Sequence, residues 1–355
     1  MMAVQNNHGV LTGNKKMSLA KKISEMKHIK GNIFKETEPV FISTGSLPIN
    51  ILFSGQLDGG IQVGKISMIA APSSLGKSFV GLKVAKNAQT QHNMTVIIMD
   101  TEFAYSPTFA RSVGVNEDEL FIIQENQIEE IQQKLVSTMM ELDDAEKEKT
   151  LIIIDSWGGM ITSKTTADAV SGKDVTDMTI SKKKNSLARL LTGLGCTVFV
   201  INQTYETMDQ YNPLAVGGGR GIRFASSAIV MGTSKAKSKD GTDIDGVIVS
   251  AKVDKGRLAV ENSKLKYMIK FEGGIHPYYG ILDDALEGEF VVKPSMGWYT
   301  RPCVPDDKKW REKEIWERSK EFWSPVFTGT EFKQYIEKKY SFKHNIITND
   351  ELHLD

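Results

Sequence analysis

The chain has 355 residues, and its 44 Lys plus Arg balance 44 Asp plus Glu, so the formal net charge at pH 7 is zero. This length suits one large domain with flanking pieces, or two domains. The balance itself does not identify a partner, but it excludes a uniformly basic nucleic-acid binder, which leaves only a local concentration of positive charge. No apolar run approaches the roughly 20 residues of a membrane-spanning helix.

The cysteines and the amino-terminal residues indicate the cellular compartment of the protein. Cys196 and Cys303 have no metal-ligand spacing, and Cys196 lies beside an apolar strand, which favours a buried thiol. Free cysteines are typical of a reducing compartment. The polar start of the chain lacks the apolar core of a signal peptide. We therefore expect a soluble, cytoplasmic protein with no membrane contact.

The first predicted element is a short amphipathic helix. Leu19, Ile23 and Met26 recur at helical spacing between Lys16 and His28, and a linker over Ile29–Pro39 follows. An isolated helix of this length is marginally stable, so its apolar stripe packs either on the core of its own chain or on a neighbouring subunit. We assign residues 1–38 to an N-terminal oligomerisation helix and linker.

Between residues 66 and 202, apolar strands alternate with helices. The strands show little apolar–polar alternation, which is typical of a parallel sheet buried on both faces. The predicted strands are Ile66–Ala71, Thr95–Asp100, Leu120–Gln124, Thr150–Asp155 and Thr197–Asn202. The predicted helices are Lys77–Gln91, Gln127–Leu142 and Ser181–Leu194. This pattern predicts an α/β fold with a mostly parallel sheet and helices on both faces.

After Ser226 the pattern changes to consecutive strands, which predicts antiparallel hairpins at one edge of the sheet. The predicted strands there are Ser227–Gly232, Asp245–Val253 and Leu265–Phe271. We expect the core domain to span residues 39–282.

The remaining region, residues 283–355, is irregular and carries four of the five tryptophans. Trp310, Trp316 and Trp323 lie among charged residues. We interpret them as the core of a small helical lobe rather than as a platform for stacking bases. A short tail follows the lobe.

The run Ala71-Pro-Ser-Ser-Leu-Gly-Lys-Ser78 joins a predicted strand to a predicted helix. It matches the phosphate-binding pattern G-x-x-x-x-G-K-[ST], with Ala71 in place of the first glycine. Backbone N–H groups of such a loop cradle phosphates, and the helix dipole adds positive potential. Lys77 would reach the β- and γ-phosphates, and Ser78 would hold Mg²⁺. The residues expected to contact the nucleotide are Pro72, Ser73, Ser74, Leu75, Gly76, Lys77 and Ser78.

Two predicted strands end in carboxylates. Asp155 ends a buried strand, where a P-loop sheet holds Mg²⁺ through water. Asp100 and Glu102 are two residues apart, so they project from the same side of an extended chain. We expect Glu102 to orient and deprotonate an attacking water, and Asp100 to be structural or to help position Mg²⁺. The alternatives are a turn-capping aspartate and two solvated loop acids.

Two long segments rich in Gly, Ser, Thr and Lys leave the carboxyl edge of the predicted sheet. Gly158–Asp177 is the first loop and Thr204–Gly221 is the second loop. Loops of this length are usually functional or disordered. Basic residues beside insertable apolar side chains suit single-stranded nucleic acid, although the lysines at 182–184 equally fit a solvated helix face. The candidate DNA-binding residues are Lys164, Lys173, Lys182, Lys183, Tyr205, Met208, Tyr211, Arg220 and Arg223.

Further segments complete a family pattern over roughly residues 17–342. They are Phe41–Asn50, Gly59–Lys65, Asp100–Gly114, Ile201–Glu206, Gly217–Arg223, Phe271–Gly280, Gly297–Tyr299 and Phe322–Phe327. Together with the P-loop they resemble the RecA family, and most closely the UvsX-type recombinases of large phages. The resemblance implies a RecA-type P-loop ATPase core.

The resemblance also implies roles in the nucleotide site. Glu102 matches the glutamate that activates water, and Asp155 matches the Walker B aspartate. Phe109 matches an aromatic residue that stacks on adenine, and Ser106 is its polar neighbour. Gln203 matches the glutamine that senses the γ-phosphate and relays it to the DNA loop.

Lys255 and Arg257 match a basic pair that reaches the ATP of the next subunit. From the residues alone, two cations after a strand are most often solvated. The chain departs from the family at Ala71, at Arg257 where a lysine is common, and in its short tail. UvsX-type proteins often end in a long acidic tail, whereas here only Asp350, Glu351 and Asp355 remain.

The function implied is ATP-dependent DNA strand exchange by a helical filament on single-stranded DNA, with ATP and Mg²⁺ as cofactors. It would serve homologous recombination, repair and recombination-dependent replication in the cytoplasm of an infected bacterium. The implied partners are single- and double-stranded DNA, further copies of the chain, a phage single-strand-binding protein and a recombination mediator.

Two alternatives remain at this point. A RecA-core helicase or translocase would usually carry an added hexamer-forming or duplex-splitting domain, and no such domain is apparent in the sequence. A RecA-like signalling ATPase that does not act on DNA would not need two long loops with basic and apolar residues.

Overall fold

The structure is a computed structural model that describes residues 38–172, 177–208, 214–240 and 243–342. The chain divides into two compact units, Met1–Pro39 and Val40–Asp355. The predicted amino-terminal helix and the acidic residues of the tail lie outside the described residues.

The strands of the second unit are short in the lobe and longest in the core. They are β1 (Phe41–Ile42), β2 (Ile61–Gln62), β3 (Ile66–Ala71), β4 (Thr95–Asp100), β5 (Leu120–Gln124), β6 (Thr150–Asp155), β7 (Thr197–Glu206), β8 (Leu214–Val216), β9 (Ala228–Asp240), β10 (Asp243–Gly256), β11 (Lys264–Lys270), β12 (Gly274–Ile275), β13 (Val292–Ser295), β14 (Trp298–Thr300) and β15 (Trp310–Arg311).

The helices connect these strands and build the carboxyl-terminal lobe. They are α1 (Leu47–Ser54), α2 (Lys77–His92), α3 (Pro107–Val113), α4 (Ile128–Glu141), α5 (Asp144–Glu148), α6 (Ser163–Val170), α7 (Ile180–Gly193), α8 (Arg220–Ala225), α9 (Leu282–Glu287), α10 (Glu312–Glu317), α11 (Ser319–Gly329) and α12 (Phe332–Tyr340). In the described part of the chain, no helix is both long and apolar enough to cross a membrane.

One large mixed sheet organises the core. Strands β5, β4, β6, β7, β3 and β9 lie side by side in parallel, and β10, β11 and β12 continue the sheet in antiparallel fashion. The pair β1–β2 and the strands β13–β15 form separate antiparallel sheets. The predicted α/β fold, with a parallel centre and antiparallel edge strands, is confirmed.

Helices cover both faces of the parallel strands. Successive residues of a strand point to opposite faces, so Ile69 of β3 belongs to one apolar cluster and Met68 to another. The first cluster includes Val80 of α2, and the second includes Leu187 of α7. Cys196 is buried as predicted, and burial raises the pKa of its thiol to about 11. Because the strands run parallel, their carboxyl ends meet at one edge, where such sheets bind ligands.

Three strands extend further than their sequence pattern predicts. β7 continues past Asn202 to Glu206, β9 continues past Gly232 to Asp240, and β10 runs over Asp243–Gly256. The added residues of β7 pair with β8, and those of β9 and β10 lengthen the β9–β10 hairpin. A solvent-exposed hairpin needs no apolar residues, so the hydrophobic pattern does not reveal these extensions.

The prediction that the two long segments are irregular loops is wrong in part. The first loop contains α6, whose first turn is capped by the Thr162 hydroxyl, which accepts a hydrogen bond from the N–H of Thr165 at 3.1 Å. The second loop begins as the end of β7, returns through β8 and reaches the start of α8. Lys173 and Tyr211 lie outside the described residues. A Ser/Thr cap and a short polar hairpin are weak sequence signals, which explains the error.

Aromatic residues form the core of the carboxyl-terminal lobe. Trp310 and Trp323 are fully buried, and the Trp316 ring packs against Tyr279 with 4.9 Å between their centroids. The Arg301 guanidinium lies 4.8 Å from the Trp310 ring. This burial agrees with the interpretation of these tryptophans as lobe core rather than as a base-stacking platform.

Candidate functional site

The P-loop turns the chain from β3 into α2 at the carboxyl edge of the sheet. Ser74 and Gly76 have φ values of 61° and 70°, in the left-handed region that glycine tolerates best. A Cβ added to Gly232 on the adjacent strand β9 would lie 2.9 Å from the Ala71 methyl group. The absence of a side chain at Gly232 therefore makes room for alanine where the motif usually has glycine.

Lys77, the first residue of α2, points its amine back across the loop. The amine donates hydrogen bonds to the carbonyl oxygens of Ala71 and Pro72, both at 2.9 Å. Burial lowers the pKa of the Lys77 amine, while the carboxylates of Asp155 and Glu102 raise it. The lysine of the motif thus lies close to both predicted acidic residues.

Ser78 and Asp155 form the candidate metal site. Burial raises the pKa of the Asp155 carboxyl, and the hydrogen bond from the Ser78 hydroxyl counteracts this shift. Among the described residues, no group of three His, Cys, Asp or Glu side chains could hold a metal. One carboxylate and one hydroxyl nevertheless fit Mg²⁺, which keeps several waters and takes other ligands from substrate phosphates. A cation there would also stabilise the buried charge of Asp155.

Asp100 has a structural role in this arrangement. Its buried carboxylate accepts hydrogen bonds from the N–H groups of Ala104 and Tyr105 at 3.1 and 3.0 Å. It also accepts one from the Gln124 amide at 3.0 Å. Of the two roles that the sequence leaves open, these three donors favour the structural one, in which Asp100 holds the turn that carries Glu102.

The Glu102 carboxylate links three strand ends. Its Oε1 accepts a hydrogen bond from the Ser156 hydroxyl at 2.6 Å and one from the Gln203 amide at 3.3 Å. Glu102 follows β4, Ser156 follows β6, and Gln203 lies in β7 where the second loop begins. The predicted general base therefore contacts the predicted γ-phosphate sensor directly.

The other residues of the predicted nucleotide site line a cleft between α2 and α3. The Ser106 hydroxyl accepts a hydrogen bond from the Phe109 N–H at 3.3 Å and so caps α3. The partly exposed Phe109 ring packs against Phe79 with 5.7 Å between centroids. Residues lining the cleft include Ser78, Glu102, Tyr105, Ser106, Phe109 and Asp155. The structure thus brings the predicted general base, metal ligands and adenine-stacking residues together in one cleft.

Lys255 and Arg257 lie elsewhere. Lys255 pairs with Ile229 of β9, which in turn pairs with Met68 near the start of β3. This is the amino edge of the parallel strands, opposite the P-loop. The Lys255 amine donates hydrogen bonds to the carbonyl oxygens of Arg223 and Phe224 at 2.9 Å. The basic pair is therefore placed at the edge opposite the P-loop of its own chain.

The predicted DNA-binding cations differ in their surroundings. Lys164, Lys182 and Arg220 are exposed. Lys183 instead forms an ion pair with Glu129 of α4, and Arg223 forms one with Asp254 at 3.0 Å. Of the predicted apolar contacts, Tyr205 and Met208 are exposed.

Sequence reasoning missed three residues that shape this edge of the sheet. Ser156 contacts Glu102, as described above. The buried Lys184 amine donates a hydrogen bond to the carbonyl oxygen of Trp157 at 3.0 Å. The Trp157 indole N–H donates to the carbonyl oxygen of Gly218 at 3.0 Å. A tryptophan two residues after the Walker B aspartate, with a triple glycine near the end of the second loop, was the available signal.

Comparison with known families agrees with this geometry. Residues 16–276 match the RecA N-terminal domain, and residues 278–336 match the C-terminal domain of the bacteriophage T4 recombination and repair protein. The first match covers more than half of the chain. The chain belongs to the RecA family, and its resemblance to the UvsX-type phage recombinases is confirmed.

Individual relatives show the same relationship. The "Recombination and repair protein" of Enterobacteria phage T4 is 34% identical over 306 residues, which cover 82% of this chain and 76% of the phage protein. "Protein RecA" of Salinispora tropica is 26% identical over 267 residues, 74% of each chain. The "Mitochondrial DNA repair protein recA homolog" of Dictyostelium discoideum is 27% identical over 275 residues, 76% of this chain and 58% of that protein. Family membership supports a role in recombination and repair.

Proposed function

We propose that this chain is an ATP-dependent DNA strand-exchange recombinase that forms helical filaments on single-stranded DNA. In its ATPase site, Lys77 contacts the β- and γ-phosphates, and Ser78 and Asp155 hold Mg²⁺, which neutralises phosphate charge. Glu102 takes the proton of the attacking water. Hydrolysis lets subunits release DNA.

The observation that carries the proposal is the 3.3 Å hydrogen bond from Gln203 to Glu102. Glu102 lies in the cleft with the P-loop helix, and Gln203 lies on the strand that leads into the second loop. A change at the γ-phosphate therefore has a short route to the segment proposed to bind DNA. Such ordering of a loop by one polar contact is a known type of switch.

The basic pair supports assembly into a filament. Lys255 and Arg257 lie at the sheet edge opposite their own P-loop, so we propose that they act on the ATP of the neighbouring subunit. A cation delivered across an interface stabilises the charge that develops at the γ-phosphate. We further propose that residues 1–38 contribute to the same assembly.

Gln203→Ala should separate ATP binding from DNA binding. We expect the variant to bind an ATP analogue with nearly unchanged affinity, because Lys77 and Ser78 remain. It should lose most of the ATP-dependent gain in single-stranded DNA affinity, a coupling that is typically about 5–150-fold. Fluorescence anisotropy with labelled oligonucleotide, with and without the analogue, measures this gain. Gln133→Ala, on the exposed side of α4, is the matched control, and a full gain in Gln203→Ala would refute the relay.

Two adjacent lysines should differ in their contribution to DNA binding. Lys182 is exposed, whereas the charge of Lys183 is already paired with Glu129. Each contact to a phosphate of single-stranded nucleic acid contributes about 0.7 to the slope of log affinity against log salt. We expect Lys182→Ala to flatten this slope by about that amount, and Lys183→Ala to leave it nearly unchanged. Equal slopes in the two variants would show that the ion pair with Glu129 does not keep Lys183 from contacting DNA phosphates.

Electron microscopy with an ATP analogue, with and without single-stranded DNA, tests the proposed assembly. We expect helical filaments whose formation depends on the analogue and DNA. Closed hexameric rings would favour a helicase or translocase, and particles that do not respond to DNA would favour a signalling ATPase.

The phage relative also suggests the setting of this activity. We propose that the chain acts in the cytoplasm of an infected bacterium on single- and double-stranded DNA, in homologous recombination, repair and recombination-dependent replication. A phage single-strand-binding protein and a recombination mediator are the proposed accessory partners.

A further inference from the structure

Trp157 occupies an unusual position between the two proposed DNA loops. It is fully buried and follows Asp155 and Ser156 at the end of β6, directly before the first loop. Its backbone N–H donates a hydrogen bond to the carbonyl oxygen of Ile201 in β7 at 2.9 Å. Its carbonyl oxygen accepts the hydrogen bond from the buried Lys184 amine. Hydrogen bonds from both of its backbone polar groups thus hold Trp157 to β7 and to α7.

The side chain of Trp157 reaches the other loop. Its indole N–H donates to the carbonyl oxygen of Gly218 at 3.0 Å. A Cβ on Gly218 would lie 2.2 Å from Cδ1 of the indole, and Gly218 has a φ of +84°. The close approach therefore requires glycine on one side and leaves the indole no room to shift toward the second loop.

A second hydrogen bond acts beside the indole. The Asn202 amide donates to the carbonyl oxygen of Gly217 at 2.8 Å. Asn202 precedes Gln203, and Ser156 precedes Trp157. The two residues that contact Glu102 are therefore each one residue from a group that holds the returning limb of the second loop.

We infer that Trp157 is a positioning residue that ties the start of the first loop to the return of the second loop, so that both loops respond together to the occupant of the nucleotide cleft. This inference rests on the proposed function. Glu102 contacts Ser156 and Gln203, which lie just before the first and the second loop, and the Trp157 indole binds Gly218 near the end of the second loop. The Asn202 amide attaches the returning limb to the strand that carries Gln203, and the indole hydrogen bond attaches the same limb to the start of the first loop.

Trp157→Phe tests the tie because it keeps a buried aromatic ring and removes the N–H. The readout is the ratio of single-stranded DNA affinities measured with an ATP analogue and with ADP. We expect this ratio to fall by about 2–10-fold, the factor that corresponds to one hydrogen bond. Affinity for the analogue and ATP turnover without DNA should stay unchanged. A substitution that destabilised the whole protein would lower both of these quantities as well.

Trp323→Phe is the matched control. Trp323 is fully buried in the carboxyl-terminal lobe, and its indole N–H has no hydrogen-bond partner among the described residues. The substitution is chemically identical but breaks no such bond, so the affinity ratio should equal that of the wild type. A ratio lowered equally by both substitutions would overturn the inference.

Gly218→Ala disrupts the same contact at the residue of the second loop that the indole touches. The added methyl group meets the indole, so this variant should also lower the ratio. Since both substitutions break one contact, the double variant should be no worse than the more affected single variant. If the fold-reductions of the two single variants multiply in the double variant, the two residues act independently and the tie is contradicted.

Hydrogen exchange of the wild-type chain tests the inference without a variant. Amides at 157–160 and at 217–221 should gain protection together when the ATP analogue binds, and a gain in only one segment would refute the tie. If the wild type shows no ATP-dependent DNA affinity, the proposed function fails. If it shows that affinity and Trp157→Phe retains it in full, only the tie fails.

Discussion

Lys77→Ala should reduce ATP turnover by about 10³-fold or more, the range known for a single cation that stabilises the transferred phosphoryl group. The Lys77 amine lies at the mouth of the P-loop near Asp155 and Glu102. Alanine removes the only side-chain cation that we assign to the β- and γ-phosphates within the chain. Phosphate release from ATP, measured with saturating single-stranded DNA, gives the rate.

Lys86→Ala is the control for this substitution. Lys86 lies on the same helix α2 but outside the nucleotide cleft. Its loss should leave turnover within about twofold of the wild type. Near-normal turnover in Lys77→Ala would instead rule out the proposed active site, whatever the behaviour of the control.

Glu102→Gln should lower turnover by about 10²-fold or more while ATP binding is retained, because the substitution removes a general base but keeps the shape of the side chain. The glutamine carbonyl can still accept the hydrogen bond from Ser156. We therefore expect stable DNA-bound filaments that do not turn over. Single-turnover hydrolysis and nucleotide affinity, measured on the same preparation, separate the two effects.

Glu117→Gln serves as the matched control. Glu117 is an exposed glutamate that pairs with Arg111 outside the cleft. The Glu117→Gln variant should hydrolyse ATP at the rate of the wild type. If ATP affinity collapses in Glu102→Gln, Glu102 has a structural role and another group must activate the water.

Much of the fold follows from short, local sequence signals. Ile66–Ala71, Thr95–Asp100, Leu120–Gln124 and Thr150–Asp155 have the same bounds in the sequence prediction and in the structure. Each is an apolar run followed by polar or turn-forming residues, and all but the edge strand Leu120–Gln124 are almost wholly buried. The extensions of β7 and β9 lack this signal because their pairing is satisfied in a polar, exposed hairpin.

The core of the candidate site is also predictable, for a topological reason. Lys77 and Ser78 follow β3, Glu102 follows β4 and Asp155 ends β6, and the carboxyl ends of such parallel strands share one edge. Placement of these residues in one cleft requires only that the sheet is parallel. Their roles in catalysis remain predictions.

Contacts that depend on distant segments were not predictable. The Lys183–Glu129 ion pair depends on how α7 packs beside α4, and the Trp157–Gly218 contact depends on the path of the second loop. The position of Lys255 at the amino edge depends on the antiparallel return of β10. A single sequence carries no direct signal for such pairings, because each is set by packing between elements that are far apart in the chain.

Formation of joint molecules between single-stranded DNA and a duplex tests the central claim most directly. The chain should be incubated with circular single-stranded DNA, ATP and Mg²⁺, and with either a homologous or a heterologous linear duplex. The account predicts joint molecules with the homologous duplex alone, only when ATP is present, and none with Lys77→Ala. DNA-stimulated ATP hydrolysis without homology-dependent joints would contradict it and would favour a RecA-core helicase or translocase.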